Sequence, residues 1–362
     1  MSLILFGGTF DPIHRGHIQI AKEVKEKVSA SKVILIPSKN PRWKTPIDIN
    51  DRLNMLNLSI KGDDDFLVSR FEIDSDAPVN YSIDTVRYFK NLYKNETLYF
   101  LIGFDQVYKL DRWKDIDEIS SLVQLIAVSR PSCPTNHPSI KKYNIKVINC
   151  REYDISSTDI REFKSLDVNE EVLHYIIDHK LYFYDTVKAF YSDKRFQHVL
   201  SVAWLSYDIA KENGLDPTIA FIAGILHDVG KESENQEEVM KLYYKEYLDY
   251  PPVVFHQFVG EYIAKNFFKI NDERVLEAIK YHTTGNRSMG KYAKIIYAAD
   301  KIDPTRGYDS KEMIKAMKEN LSSGFKMVLN ENFKFLSGKK NVLFNNKLSK
   351  LCISYYLKEE YE

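Results

Sequence analysis

The sequence predicts two fold classes in one chain: an α/β half built on a mostly parallel sheet with helices on both faces, then an all-α half. Three observations predict this. Short β-rich runs alternate with helix-length patterns up to about residue 186, the strand–helix–strand repetition of a parallel sheet. Beyond that point strand signals fade and apolar residues recur at helical spacing. The length, 362 residues, matches roughly two domains at about 150 residues each. No Pro/Gly linker marks the junction near Tyr184–Lys188, so the boundary is set by the change of period, giving domains 1–186 and 187–362.

The strand-like runs are Leu3–Phe6, Lys32–Pro37, Phe66–Phe71, Thr97–Ile102, Leu122–Val128 and Ile145–Ile148. Between them, His17–Val28, Asn50–Ile60 and Ile83–Tyr93 have helical periodicity. In the second half, helices are expected over Lys194–Asn213, Pro217–His227, Pro252–Phe268, Asp272–Tyr281 and Tyr292–Asp300. Asp216 followed by Pro217 reads as an N-cap with proline at the first helical position.

Charge is balanced, Lys+Arg 51 against Asp+Glu 51. Neither half hides a basic arm, because residues 1–186 carry 25 basic and 27 acidic side chains and residues 187–362 carry 26 and 24. A general binder of nucleic acid or membrane surfaces would carry a basic excess. The longest apolar run, Ile219–Leu226, is too short to span a bilayer. The first basic residue is Arg15, after an apolar stretch that starts at Ser2, which is not the pattern of a signal peptide. Cys133, Cys150 and Cys352 are too widely spaced for a disulfide framework or a thiolate metal site. A cytoplasmic protein with small-molecule partners, no nucleic acid and no membrane is the expectation, with homo-oligomerisation left open.

Gly7-Gly8-Thr9-Phe10-Asp11-Pro12-Ile13-His14-Arg15-Gly16-His17 follows the first strand and opens the first helix. Paired glycines let the backbone approach a ligand closely, and the helix start beyond them offers N–H groups and a positive dipole to phosphate. His14 and His17 straddle the turn and can donate hydrogen bonds to a polyphosphate. This run resembles the phosphate signature of the HIGH-type nucleotidyltransferases. Ile155-Ser156-Ser157-Thr158-Asp159-Ile160-Arg161, about 140 residues later, is similar to the I-S-S-T-x-I-R motif that closes over the ATP triphosphate in that family.

The detail resembles bacterial nicotinate mononucleotide adenylyltransferases. Asn40-Pro41-Arg42-Trp43-Lys44 is similar to their N-P-x-x-K loop, and Tyr81-Ser82-Ile83-Asp84-Thr85 to their Y-T-x-D-T segment. Ile102-Gly103-Phe104-Asp105 with Trp113-Lys114 is similar to I-G-x-D…W-K, and Ser129-Arg130-Pro131 to the R-P-G loop, with Ser132 in place of glycine. The resemblance implies a Rossmann-like domain that uses ATP with Mg²⁺. It places Gly7, Gly8, Thr9, Phe10, Gly103, Asp105, Ser156, Ser157 and Thr158 at ATP, and Lys44, Tyr81, Thr85 and Trp113 at nicotinate mononucleotide. His14, His17, Lys44 and Arg161 become the catalytic groups, stabilising charge while the acceptor phosphate attacks the α-phosphorus of ATP.

The second half holds His198, His227, His256 and His282, and Asp228 follows His227 directly. Imidazoles with carboxylates suit a first-row transition metal better than Mg²⁺ or Ca²⁺. Neighbours on a helix point about 100° apart, so His227 and Asp228 meet different parts of a site. The order His, His-Asp, His, His, Asp resembles the HD phosphohydrolase superfamily. Arg195-Phe196-Gln197-His198, Leu226-His227-Asp228-Val229-Gly230-Lys231, Tyr281-His282-Thr283-Thr284-Gly285 and Ala299-Asp300-Lys301-Ile302-Asp303-Pro304…Arg306 are similar to the bacterial HD hydrolases that cut diadenosine tetraphosphate into two ADP. Val229-Gly230 and, after His256, Gln257-Phe258 depart from that family's residues.

The resemblance implies two transition-metal ions, iron favoured over manganese or zinc. His198, His227 and Asp300 would take one ion, His256 and His282 the other, with Asp228 as bridge. Asp228 and Lys231 count as catalytic, and Arg195, Lys231, Thr283, Thr284, Arg287 and Arg306 as polyphosphate ligands. A bifunctional enzyme is the first expectation. The alternatives are nicotinamide mononucleotide as acceptor with another nucleotide polyphosphate hydrolysed, or a non-catalytic regulatory HD module.

Overall fold

The computed structural model describes residues 2–41, 45–77, 79–129, 136–151, 153, 155–337 and 346–358. The chain forms two compact units, Met1–Arg161 with Asp167–His179, and Glu162–Leu166 with Lys180–Glu362.

The first unit is a six-stranded sheet in the order β3-β2-β1-β4-β5-β6, with every neighbouring pair parallel. The strands are β1 (Ser2–Gly8), β2 (Lys32–Pro37), β3 (Phe66–Val68), β4 (Thr97–Gly103), β5 (Gln124–Ser129) and β6 (Lys146–Asn149). Crossover helices bury both faces of such a sheet, so its central strands are apolar runs rather than alternating ones. Val33, Ile34, Leu35 and Ile36 are all buried, and in register Leu5 pairs with Ile34 on one side and Phe100 on the other. The crossovers include α1 (Arg15–Val28), α2 (Ile49–Ser59) and α3 (Ser82–Leu92). Strand order reverses at β1 and β4, which opens a crevice at their carboxyl ends, the usual ligand position in an open parallel sheet.

Only β2 matches its expected run at both ends, and two strands fall short of expectation by two residues or more. β3 stops at Val68 instead of Phe71, because after Ser69 N–H donates to Leu35 O the chain turns into an Arg70–Asp74 ion pair. β5 starts at Gln124 because Leu122 closes the preceding helix, Ile116–Leu122.

The second unit is helical. The helix Pro217–Leu226 is apolar on all sides and buried along most of its length, as expected of a helix at the centre of a bundle. It crosses the helix Asp193–Glu212 at Gly224, where a Cβ would lie 2.7 Å from Ala203 Cα. Asp216 caps it by accepting from Thr218 N–H at 2.9 Å. His198, His256 and Asp300 lie within helices Asp193–Glu212, Phe255–Asn266 and Lys291–Ile302. His227 and His282 stand just past the ends of Pro217–Leu226 and Glu273–Tyr281. Helices Gln236–Tyr243, Lys311–Glu319, Leu321–Ser337 and Lys347–Leu357 had no sequence expectation. The apolar stripe is too thin in Gln236–Tyr243 and Lys311–Glu319, which bury only Met240 and Met317. No described helix is long and apolar enough to cross a membrane.

Candidate active sites

At the crevice of the first unit, β1 ends in Gly8 and α1 begins at Arg15, with His14 as N-cap and His17 one turn in. His14 N–H donates to His17 Nδ1 at 3.3 Å. With Nδ1 an acceptor, a neutral His17 carries its proton on Nε2 and is a donor there. The two rings lie against each other, tilted by 34°, with centroids 3.7 Å apart. Burial holds the His14 imidazole down at about 4, against a smaller opposing pull from Asp159. Its Nδ1 is buried with no hydrogen-bond partner among the described residues, the situation of a group awaiting a ligand.

The two sequence motifs meet here. Ser157 Oγ donates to Pro12 O at 2.9 Å, and Arg161 reaches both Asp11 O and Thr158 Oγ1. Ser156 Oγ donates to Asp159. The hydroxyl protons of Ser156 and Ser157 are thus engaged within the protein. Phe10 also differs from expectation. Its ring is buried edge-on to Phe6 and His17, and its φ of 48° is left-handed, a strained conformation for a bulky residue.

A cleft of about 360 Å³ runs from Gly7 and Gly8 past Thr85 to Gly103, Asp105 and Trp113. Trp113 stands edge-on to Phe100 at 6.1 Å. Tyr81 precedes α3, with Lys114 Nζ 4.4 Å from its ring centre. Thr85 Oγ1 donates to Glu72 Oε1 at 2.8 Å, and burial raises the Glu72 carboxyl. Lys44 lies outside the described residues, with Arg42, Trp43 and Arg130–Ser132.

Two contributors carry no motif. Glu72, in the cleft wall, follows a run that reads as strand. Arg52 is buried and donates to Thr9 O at 2.8 Å and Ser38 O at 2.9 Å, with longer bonds to Ile47 O and Lys39 O. It ties the loop after β1 to the loop after β2. An arginine beside Leu53, Met55 and Leu56 on the buried face of α2 was the available signal.

In the second unit, all six expected ligands converge. His198 Nε2 lies 3.3 Å from Asp300 Oδ1, and His227 Nε2 lies 3.7 Å from the same oxygen. Asp228 Oδ1 is 3.4 Å from both His256 Nε2 and His282 Nε2, and its Oδ2 is 3.8 Å from His227 Nε2. Ligand atoms of His198, His227 and Asp300 form one close group, and those of His227, Asp228 and His282 another. Nδ1 of His227 and of His282 donates to a backbone carbonyl, Gly224 O and Ile279 O, which turns each Nε2 inward. Gly230 lets this packing close, because a Cβ there would lie 2.6 Å from Gly260 N and His256 O.

The electrostatics are those of a cation site. Burial alone would raise Asp228, but His227, His282 and His256 hold it well below the carboxylate range. Burial likewise opposes Asp300, which Lys301, His198, His227 and Arg306 hold low. Burial also works against His198, yet Asp300 and Asp303 push it up to about 9. Among the described residues, Nε2 of His198 and of His227 are buried beside Asp300 without a well-formed hydrogen bond, and His256 Nε2 faces His282 Nε2 at 3.2 Å. Unsatisfied nitrogens between carboxylates fit divalent transition-metal ions.

Among the expected polyphosphate ligands, Arg195 pairs with Asp228 at 2.9 Å and Arg306 with Asp300 at 2.5 Å. Lys231 Nζ is 3.2 Å from both ring nitrogens of His256, and Thr283 Oγ1 is 2.9 Å from His256 Nε2 and His282 Nε2. Thr284 is not brought to this surface. It is buried, its hydroxyl donates to Gly285 O, and Gln257 Oε1 accepts from its N–H. Arg287 is exposed in the following loop. Lys301 and Asp303 belong to the site without having been singled out. Lys301 Nζ bonds Asp300 Oδ2 and His282 O, and Asp303 accepts from His198 Nδ1.

Comparison with known proteins agrees with both halves. Residues 5–163 match the cytidylyltransferase-like family and residues 195–305 the HD domain family. The chain is similar to the "probable nicotinate-nucleotide adenylyltransferase/Ap4A hydrolase" of Mycoplasma genitalium, 34% identical over 90% of this chain and 96% of that one. A protein of the same name from Mycoplasma pneumoniae is 31% identical over 90% and 97%. The nicotinate-nucleotide adenylyltransferase of Bacillus subtilis is 34% identical over 49% of this chain and 96% of its own.

Proposed function

The chain belongs to the family of two-domain proteins that join a nicotinate-nucleotide adenylyltransferase to an Ap4A hydrolase, and on that premise we propose that both of its halves are enzymes acting on adenine nucleotides. Residues 1–186 transfer AMP from ATP to nicotinate mononucleotide, giving nicotinate adenine dinucleotide and pyrophosphate. Residues 187–362 cleave diadenosine tetraphosphate to two ADP. The observation that supports this best is the convergence of His198, His227, Asp228, His256, His282 and Asp300, from separate helices and helix ends, on one buried cluster.

In the first half, the acceptor phosphate oxygen bonds to the α-phosphorus of ATP as the bond to pyrophosphate breaks. No protein nucleophile is needed, so positioning and charge stabilisation carry the catalysis. The glycine loop brings phosphate against the backbone. His17 donates through Nε2, the neutral His14 offers one ring N–H, and Arg161 sets positive charge beside the leaving group. Mg²⁺, when bound with ATP, neutralises polyphosphate charge.

In the second half, His198, His227 and Asp300 would hold one ion, His256 and His282 the other, and Asp228 would lie between them. Bound ions of this kind make water a nucleophile near neutral pH and clamp an in-line displacement. Around them, Arg195 and Arg306 fix the two carboxylates, and Lys231 and Thr283 present donors to an anionic substrate.

Two incubations test the reading. Diadenosine tetraphosphate should give ADP alone; AMP with ATP, or no turnover by fully loaded protein, overturns the hydrolase assignment. With ATP, nicotinate mononucleotide should outcompete nicotinamide mononucleotide as acceptor, and the reverse order overturns the acceptor.

A further inference from the structure

The two ion positions differ in what stands behind them. His227 and His282 each donate Nδ1–H to a neutral backbone carbonyl, at 2.6 and 2.7 Å. His198 donates instead to a carboxylate, Asp303 Oδ2 at 2.8 Å, whose side chain is 0% exposed. Asp303 is itself fixed by Ser201 Oγ, Thr305 N–H and Thr305 Oγ1. His256 has the opposite neighbour, since the Lys231 ammonium lies 3.2 Å from both of its ring nitrogens.

The charges in contact follow the same division. Beside His198 and His227, the Asp300 and Asp303 carboxylates are balanced by Lys301 and Arg306. Beside His256 and His282, Asp228 and Glu232 face Arg195, at 2.9 and 3.9 Å, and the Lys231 ammonium stands against the His256 ring itself. Both surroundings are neutral in sum, but only in the second does a cation stand directly against a ligating imidazole, and a dication prefers the first. A carboxylate behind a ligating imidazole also fixes its tautomer and strengthens it as a donor.

We propose that Asp303 is a positioning residue that makes the His198–His227–Asp300 position the tighter of the two, leaving the His256–His282 position beside Lys231 as the weak, exchangeable one. This rests on the two-ion reading given above. The chain then carries one ion when free metal is scarce and two only when it is plentiful, so hydrolysis follows the supply of the second ion.

The test is titration of metal-free, full-length protein with Mn²⁺, following free Mn²⁺ by electron paramagnetic resonance. The wild type should bind two ions with affinities at least about tenfold apart. Asp303→Asn should weaken the tight event by about 10–100-fold and leave the weak one unchanged. His282→Ala should remove the weak event and keep the tight one. Lys231→Met should tighten the weak event several-fold, a result independent of whether the Asp303 variant folds. Loss of both events alike in Asp303→Asn, which a merely structural role would give, overturns the proposal, as does an unmoved weak event in Lys231→Met. Absence of any Mn²⁺ binding by the wild type instead overturns the two-ion reading itself.

Discussion

His14 and His17 lie against each other across the first turn of α1, with ring centroids 3.7 Å apart and the His14 N–H held by His17 Nδ1. One contact thus caps the helix and aims the outer nitrogen of His17. The two roles separate on mutation. His17→Ala should lower kcat for adenylyl transfer by about 10²–10³-fold, the scale of losing one preorganised donor, while costing only about 1 kcal/mol as a lost cap. Single-turnover assays and urea unfolding measure the two, and an unchanged kcat rejects the role given to His17.

The buried His14 makes the first unit sensitive to acid. Its folded value of about 4 lies below the ordinary 6.5, so the unfolded chain takes up the proton first. The contribution of neutral His14 is complete above pH 6.5 and is lost as pH falls towards 4. Relative to His14→Asn, the wild type should lose about 2–3 kcal/mol between pH 7.5 and 4.5. Parallel stability curves for the two proteins, from urea unfolding, would count against a neutral buried imidazole.

Arg52 holds the loops after β1 and β2 together through backbone carbonyls. Arg52→Met strands those buried acceptors and should cost about 2–4 kcal/mol, with a raised KM for ATP. Thermal unfolding and steady-state kinetics report both effects. Stability at the wild-type level with unchanged KM would show that the loops are set by other contacts.

Gly230 stands where backbones touch. Gly230→Ala would place a Cβ 2.6 Å from Gly260 N and His256 O, and overpacking of this kind costs about 1–3 kcal/mol. His256 should be displaced, so hydrolysis falls while adenylyl transfer stays. Assaying both reactions on one preparation checks this, and parallel losses would mean global unfolding instead.

Prolonged dialysis against a chelator should abolish hydrolysis, whereas adenylyl transfer should return with Mg²⁺ alone. Hydrolysis that persists after metal analysis shows an ion-free protein would remove the basis of the site.

All six strands were legible because each is a short apolar run bounded by turn residues, and the parallel sheet followed from the helices between them. The six His and Asp residues were legible as words in order, and the fold supplies their convergence. Asp303 sat inside one of those words, yet a carboxylate that backs a histidine looks no different in sequence from one that binds metal. Thr284 shows the converse. Its neighbour Thr283 faces the histidines, and one residue further along the turn points into the core towards Gln257. Glu72 and Arg52 act through contacts with residues distant in sequence, so no local spacing marks them.

The early end of β3 has an effect beyond its own boundary. A sheet so apolar on both faces would expose two open ladders if its outer strands were long, and such ladders recruit strands from other chains. Here the outer strands are Phe66–Val68 and Lys146–Asn149, with exposed Lys146 at the start of the latter and the Arg70–Asp74 turn just after the former. Each rim is too short and too charged to template a neighbour. The shortened edge thereby protects the chain from aggregation at the cellular concentrations an enzyme must tolerate.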